Sequence, residues 1–317
     1  MNAGHDRARD DTTVSIVVPA HNESAALEGT VTAIFAALAG DPATVDVVLV
    51  DDGSTDATWA CIETLADRDP RVRGLGLSRR FGKEAAIAAG LASVQGSVAI
   101  VMDADLQHPP AMLPEFLRLW RTGDFDVVEA VKRESNRRSA FASRRANFFY
   151  RTLGALSGYQ LENSSDFKLL DRRVVDAYNE LRESGLFFRG MTAWLGFRHA
   201  VIPFDVADRV AGDSAWSQWR LVRLAMDAVT SLTSAPLRLI SVFAALFLAF
   251  AVIFAAQTMY RKLSGAALDG FTTVILLVLI VGSAIMVSLG IIGEYVARIF
   301  DEAKDRPRFV VSRRAGR

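Results

Sequence analysis

Two runs near the carboxyl end, Leu239 to Ala256 (LISVFAALFLAFAVIFAA) and Phe271 to Ile292 (FTTVILLVLIVGSAIMVSLGII), contain no ionisable residue. Each approaches the roughly 20 residues that cross the hydrocarbon of a bilayer as a helix. Soluble core helices rarely sustain uncharged runs beyond about 10–14 residues, so two transmembrane helices are expected, with a pair of buried core helices as the alternative. Basic residues flank the pair, Arg220, Arg223 and Arg238 before it and Arg298, Lys304, Arg306, Arg308, Arg313 and Arg314 after it. The positive-inside rule places both flanks in the cytoplasm, although Arg261 and Lys262 in the connecting loop act against that orientation.

The rest of the 317 residues leaves room for one sizeable domain. The formal charge is zero, which argues against a strongly basic nucleic-acid binder, and Cys61 is the only cysteine, which excludes an internal disulfide framework and suits a reducing compartment. MNAGHDRARDDT lacks an apolar core segment, so it is expected to be a disordered polar tail over residues 1–12 and not a secretory signal.

From Val14 onward, short β-rich runs alternate with helical stretches: VSIVVPA, VDVVLVDDGS, VRGLGLS and VAIVMDAD each precede a helix. That order predicts an α/β, mainly parallel Rossmann-like sheet, and near-continuous apolar strands such as VDVVLV predict cover on both faces. Ligands of such sheets sit beyond the carboxyl ends of the strands. Four polar loops fall there: Pro19 to Glu23, Asp51 to Asp56, Ser78 to Glu84, and Asp103 to His108.

In VMDADLQHPP, Asp103 and Asp105 leave the strand two residues apart and project to one side, so their mutual repulsion calls for a cation or a proton. Gln107 adds a third oxygen, and oxygen-only donors suit Mg2+ or Mn2+ together with a nucleotide diphosphate. A helix-capping turn is the alternative; His108 and the two prolines read only as the turn into the next helix. In DDGSTD, Gly53 permits a tight turn and Asp51 or Asp52 can accept from base or ribose donors. SAFASRRANFFYRTLGALSG (139–158) and WSQWRLVRLAMDAVTSLTS (216–234) mix apolar and basic residues and are expected either to lie on a membrane surface or to pack on the sheet.

SIVVPAHNE, VDDGSTD, SRRFGKEAAIAAGL, MDADLQHPP, DFKLLDRRVV, FFRG and the paired apolar runs occur in the order found in the family 2 glycosyltransferases with a GT-A fold. Among these the chain most resembles the bacterial polyprenyl-phosphate glycosyltransferases, relatives of dolichyl-phosphate mannose synthase. The resemblance implies that Pro19, Ala20, Asn22, Glu23, Asp51, Asp52, Lys83 and Ala104 line a nucleotide-sugar pocket. It also implies that Asp103, Asp105 and Gln107 hold the metal and diphosphate, that Phe81, Gly82 and Lys83 lie near the donor, and that Asp166 and Arg189 join Asp103 and Asp105 at the reacting centre. For Asp166 a capping or ion-pair role is an alternative. Arg209, Gly212 and Ser214 match a family segment before the membrane helices, but Ala215 stands where a lysine is usual.

The implied layout is a tail (1–12), a cytoplasmic catalytic domain (13–215), a juxtamembrane amphipathic helix (216–236), a two-helix transmembrane hairpin (237–297) and a basic tail (298–317). The implied activity is inverting transfer of a sugar, UDP-glucose first and GDP-mannose second, to polyprenyl phosphate at the cell membrane, with a homo-oligomer left open. A processive polysaccharide synthase is disfavoured, since no Gln-x-x-Arg-Trp occurs. A catalytically silent nucleotide-sugar sensor or membrane scaffold is the alternative from another class, motivated by Ala215.

Overall fold

The computed structural model describes residues 12–105, 107–132, 165–181, 187–204, 235–264 and 271–316. The expected amphipathic segments 139–158 and 216–234, and Arg209, Gly212, Ser214 and Ala215, lie outside them. The chain divides into one unit of residues 1–216 with 307–317 and another of residues 217–306.

In the first unit, β1 (Thr13–Ala20), α1 (Leu27–Leu38), β2 (Thr44–Asp51), α2 (Thr58–Arg68), β3 (Val72–Leu77), α3 (Lys83–Ser93) and β4 (Val98–Val101) alternate as the sequence predicts. A 3-10 turn (Pro110–Met112) leads into α4 (Leu113–Arg121), followed by β5 (Val127–Lys132), β6 (Lys168–Asp171), α5 (Arg172–Glu180), α6 (Phe188–Trp194) and β7 (His199–Phe204). Among the described residues, with β8 formed by Val311–Ala315, the eight-stranded sheet runs β7-β5-β6-β4-β1-β2-β3-β8. Strands β4, β1, β2 and β3 are mutually parallel, whereas β6 runs antiparallel to both β4 and β5. From β1 the chain winds outward through β2 and β3, then returns to place β4 on the other side of β1. Such a reversal opens a crevice at the carboxyl ends of the two strands on either side of it.

Alternation along the strands sorts the core. Ile16, Val18, Val47, Leu49 and Ile100 share one cluster with Leu27 and Ile34 of α1, Ile62 of α2 and Phe116 of α4, all fully buried. Each such side chain contributes about 1.5–3 kcal/mol by leaving water. Val17 belongs to the opposite face, where α3 packs so closely that a Cβ on Gly90 would lie 2.2 Å from Val17 Cγ1. The small residues of KEAAIAAGLAS are what permit that approach.

The second unit contains α7 (Ala235–Leu263) and α8 (Phe271–Ala303). Both outrun the uncharged segments, because helix-forming residues such as Glu294, Ala297 and Arg298 continue the hydrogen-bond ladder after the apolar run ends. Among the described residues only Ile280–Ala303 is long and apolar enough to cross a membrane, with mean hydropathy 1.8, whereas α7 offers the shorter Val242–Phe254. The expected pair of spans is thus reduced to one qualifying stretch. Neither helix is a core helix: Leu248, Ile253 and Met286 are each about 70% exposed.

The expected basic tail is corrected in part. Val311–Ala315 forms β8, which pairs antiparallel with β3 at the edge of the catalytic sheet (Leu75 opposite Arg314, Gly76 opposite Arg313). Its two arginines and exposed side chains give no alternating apolar signal; backbone pairing recruits it, helped by Arg313, which reaches Asp51 at 3.3 Å and lies over Trp59 at 4.6 Å.

Candidate active site

At the crevice lies a cavity of about 230 Å3. From the β1 loop come Pro19, Ala20 and Glu23; from the β2 loop, Asp52; from α3, Lys83; and from beyond β4, Asp103, Ala104 and Asp105. These segments are up to 86 residues apart in sequence (Pro19 to Asp105), and the parallel sheet gathers them by ending its strands on one edge. Thr30 of α1 donates to the Ala104 carbonyl at 2.7 Å, which ties the aspartate loop to the core. A roomier cavity, about 340 Å3 between α3 and the β3–β8 edge, is lined by no carboxylate among the described residues.

Lys83 is the hub of the charges. Its Nζ lies 2.6 Å from Asp103 Oδ1 and 2.6 Å from Asp166 Oδ2. Arg189 grips the other side of Asp166 in a fork, Nε to Oδ1 at 2.7 Å and Nη2 to Oδ2 at 3.0 Å. Burial alone would raise the Asp166 carboxyl, but Arg189 and Lys83 together hold it well below the usual carboxylate range. A carboxylate paired with two cations is a poor proton acceptor. Against burial, Asp103 and Asp166 keep Lys83 protonated.

The opposite wall of the cavity is electronegative. Burial, followed by the charges of Asp105, Asp103 and Asp56, raises the Glu23 carboxyl. Two aspartates and a glutamate around one small volume, with Asp105 exposed, form an oxygen-only donor set that fits a hard divalent cation. No tight cluster of three His, Cys, Asp or Glu side chains occurs among the described residues, so substrate phosphates and water would have to complete the shell, as Mg2+ commonly requires.

Several of the expected ligands make protein contacts of their own. Asn22, at φ +59°, accepts from Thr55 N through Oδ1 (2.9 Å) and donates its own N–H to Ser54 Oγ (3.0 Å), joining the first two loops. Asp51 is fully buried, accepting from Ser54 N and Arg313 Nη2. Asp52 reaches the cavity wall, yet its carboxylate accepts from Phe81 N (2.7 Å) and Gly82 N (2.9 Å), which sets the FGK loop. Gln107 does not line the cavity; its backbone N–H turns back to Asp105 Oδ1 at 3.1 Å. The bonds to Asp51 from Ser54 and to Asp105 from Gln107 are the local kind that short polar side chains in turns prefer, while those from Thr55, Gly82 and Arg313 join segments distant in sequence; residue type alone discloses neither.

Three further residues stand at or beside the cavity: His21, Arg80 and His108. His21 and Arg80 line the cavity, and only their place beside PA and before FGK could have flagged them. His108, expected to be part of a turn, is buried and stacks on Phe167 at 5.0 Å, while its Nδ1 accepts from Asp103 N at 3.1 Å. It therefore fixes the backbone that presents Asp103.

Gly53 sits at φ +61°, and a Cβ there would lie 2.5 Å from both Arg79 C and Arg80 N. Gly53→Ala is expected to cost at least about 1–2 kcal/mol in backbone strain alone and to push the Arg79–Arg80 segment outward. The check is a thermal melt, whose midpoint should fall.

The order of the parallel strands reverses between β1 and β4, and the acidic pair Asp103 and Asp105 stands at that reversal, where such sheets bind ligands. Residues 15–178 match the model of glycosyl transferase family 2, and the chain belongs to that family. It is 32% identical over 302 residues to the bactoprenol glucosyl transferase of Shigella phage SfII, covering 95% of this chain and 97% of the relative. It is 34% identical over 300 residues to the putative glycosyltransferase CsbB of Bacillus subtilis, covering 94% and 91%. Glucosyl-3-phosphoglycerate synthase of Mycobacterium tuberculosis, solved with UDP, shares the fold at TM-score 0.50 and 20% identity over 72% of this chain and 81% of that one.

Proposed function

We propose that this glycosyltransferase moves a hexose, glucose first, from a UDP-sugar to a polyprenyl phosphate with inversion at the anomeric carbon. The observation that carries it is full-length likeness to bactoprenol glucosyl transferases, which extends through the helical unit and its exposed apolar side chains. The exposed stretch Ile280–Ala303 suits anchorage in a membrane, where the lipid acceptor resides.

The lipid phosphate, with a second pKa near 6, is largely ionised at neutral pH and needs no strong base. Its oxygen forms the new bond to the anomeric carbon as the bond to the UDP β-phosphate oxygen breaks, so UDP departs with the electron pair and no proton moves. Lys83, released from Asp103, would contact the departing diphosphate, and Arg189 keeps Asp166 fixed behind it. Asp103 and Asp105 would hold Mg2+ or Mn2+, which supplies charge stabilisation on the leaving group. Pro19, Ala20, Asp52 and Arg80 would enclose the nucleotide.

UDP with Mn2+ at about 100 times its Kd should raise the stability of the full chain by roughly 2.7 kcal/mol in a thermal melt, with GDP giving less. A larger gain with GDP would favour the mannose donor. No gain with either would remove the nucleotide-sugar assignment.

A further inference from the structure

Resting on that transfer assignment, we infer that Glu84 is a positioning residue, which sets Arg189 against Asp166 by anchoring the amino end of α6. Helix α6 spans only Phe188–Trp194, too short to be stable by itself, and its N-cap residue, Phe187, offers no side-chain cap. The first N–H groups of any helix lack internal partners. Here the Glu84 Oε2 of α3 accepts from Phe188 N at 2.8 Å, a contact spanning 104 residues of sequence. Arg189 is the next residue.

Lys83 and Glu84 thus divide the work of one helical turn. Lys83 meets Asp103 and Asp166 directly, while Glu84 holds the element that delivers the second cation to Asp166. Glu84 does not line the cavity, so it touches no reacting group. On its neighbouring side Tyr178 of α5 packs edge-on to Phe188 at 5.7 Å, and among the described residues its buried hydroxyl has no hydrogen-bond partner. At the far end of α6, Thr192 is held by Lys168 Nζ at 3.0 Å, and Glu84 holds the end that carries Arg189.

Burial first, then the charge of Asp166, pushes the Glu84 carboxyl up to about 7, against the opposing pull of the Phe188 N–H, Arg189 and Lys83. A carboxylate kept in so unfavourable a setting argues for a purpose beyond packing.

Full-length wild type, Glu84→Ala and Glu84→Gln separate the roles. In Glu84→Ala, amide exchange across 187–195 should quicken by about tenfold, the loss expected for one charged hydrogen bond. Transfer should fall about 10- to 100-fold in kcat with UDP affinity nearly unchanged, because Arg189 is misplaced. Glu84→Gln, whose amide oxygen still accepts from Phe188 N–H, should restore both to near wild type. Unchanged exchange in the alanine variant, equal impairment of the two variants, or parallel loss of UDP affinity would overturn the inference. Should Glu84→Ala fail to fold, the exchange and kcat of Glu84→Gln decide alone, near-native values supporting and impaired values overturning it. An inactive wild type would remove the transfer assignment, whereas the exchange data would still judge Glu84.

Discussion

Asp105→Ala is expected to lower sugar transfer by about 10³-fold or more while leaving folding intact. Metal-assisted stabilisation of a leaving phosphate is worth several kcal/mol, and each 1.36 kcal/mol is a factor of ten in rate. Folding should survive because Asp105 is exposed and its recorded bond is local, from the backbone N–H of Gln107. Exposed substitutions away from caps and cores usually change stability by no more than about 0.5 kcal/mol. The informative comparison is organic-phase product against the melting temperature of the same preparation, alongside Mn2+ titrated by electron paramagnetic resonance. Full activity with unchanged Mn2+ binding would remove the metal assignment from Asp105.

The second large effect concerns stability. Lys168 is 1% exposed on β6 and bonds Glu129 Oε2 of β5 at 3.1 Å and Thr192 of α6 at 3.0 Å. Burial lowers its pKa, but Glu129 opposes that shift. Lys168→Met would strand the Glu129 carboxylate, itself 7% exposed, in the core. Breaking a buried pair from one side costs about 3–5 kcal/mol. For a domain of this size that corresponds to a fall in Tm on the order of 10 °C. Replacing Glu129 with Leu in the same chain should recover much of the loss, since no lone charge then remains buried. A Lys168→Met protein that melts with wild type would show that the pair carries no stability.

The β/α alternation and the strand-end loops could be read from the residues because both are local. Apolar periodicity marks β1 to β4, and a parallel sheet then obliges their polar ends to meet. Lys83, Asp103 and Asp105 line one cavity accordingly, whereas Asp166 and Arg189, expected only from the family resemblance, join them through ion pairs that the strand pattern does not foretell. What stayed hidden depends on pairings distant in sequence or on local bonds that use up a polar group. Asn22 and Asp51 have the expected residue types, and their contacts with turn N–H groups and Arg313 could not be read from those types. Gln107 fits the spacing, but the chain turns after Asp105 and carries it off the wall. His108 stacks on Phe167, 59 residues away, and Glu84 holds Phe188 across 104 residues; no window of sequence contains both partners. Strand β8 is recruited by an open sheet edge, and backbone pairing leaves little trace in side-chain pattern.

The account rests most directly on one measurement. Purified full-length protein receives labelled UDP-glucose, Mn2+ and polyprenyl phosphate, and label is counted in the organic phase, with the dephosphorylated polyprenol as the paired acceptor. Label that appears only with the phosphate and vanishes on chelation is the expected result. No organic-phase label from any common nucleotide sugar, or equal label with polyprenol, would contradict it.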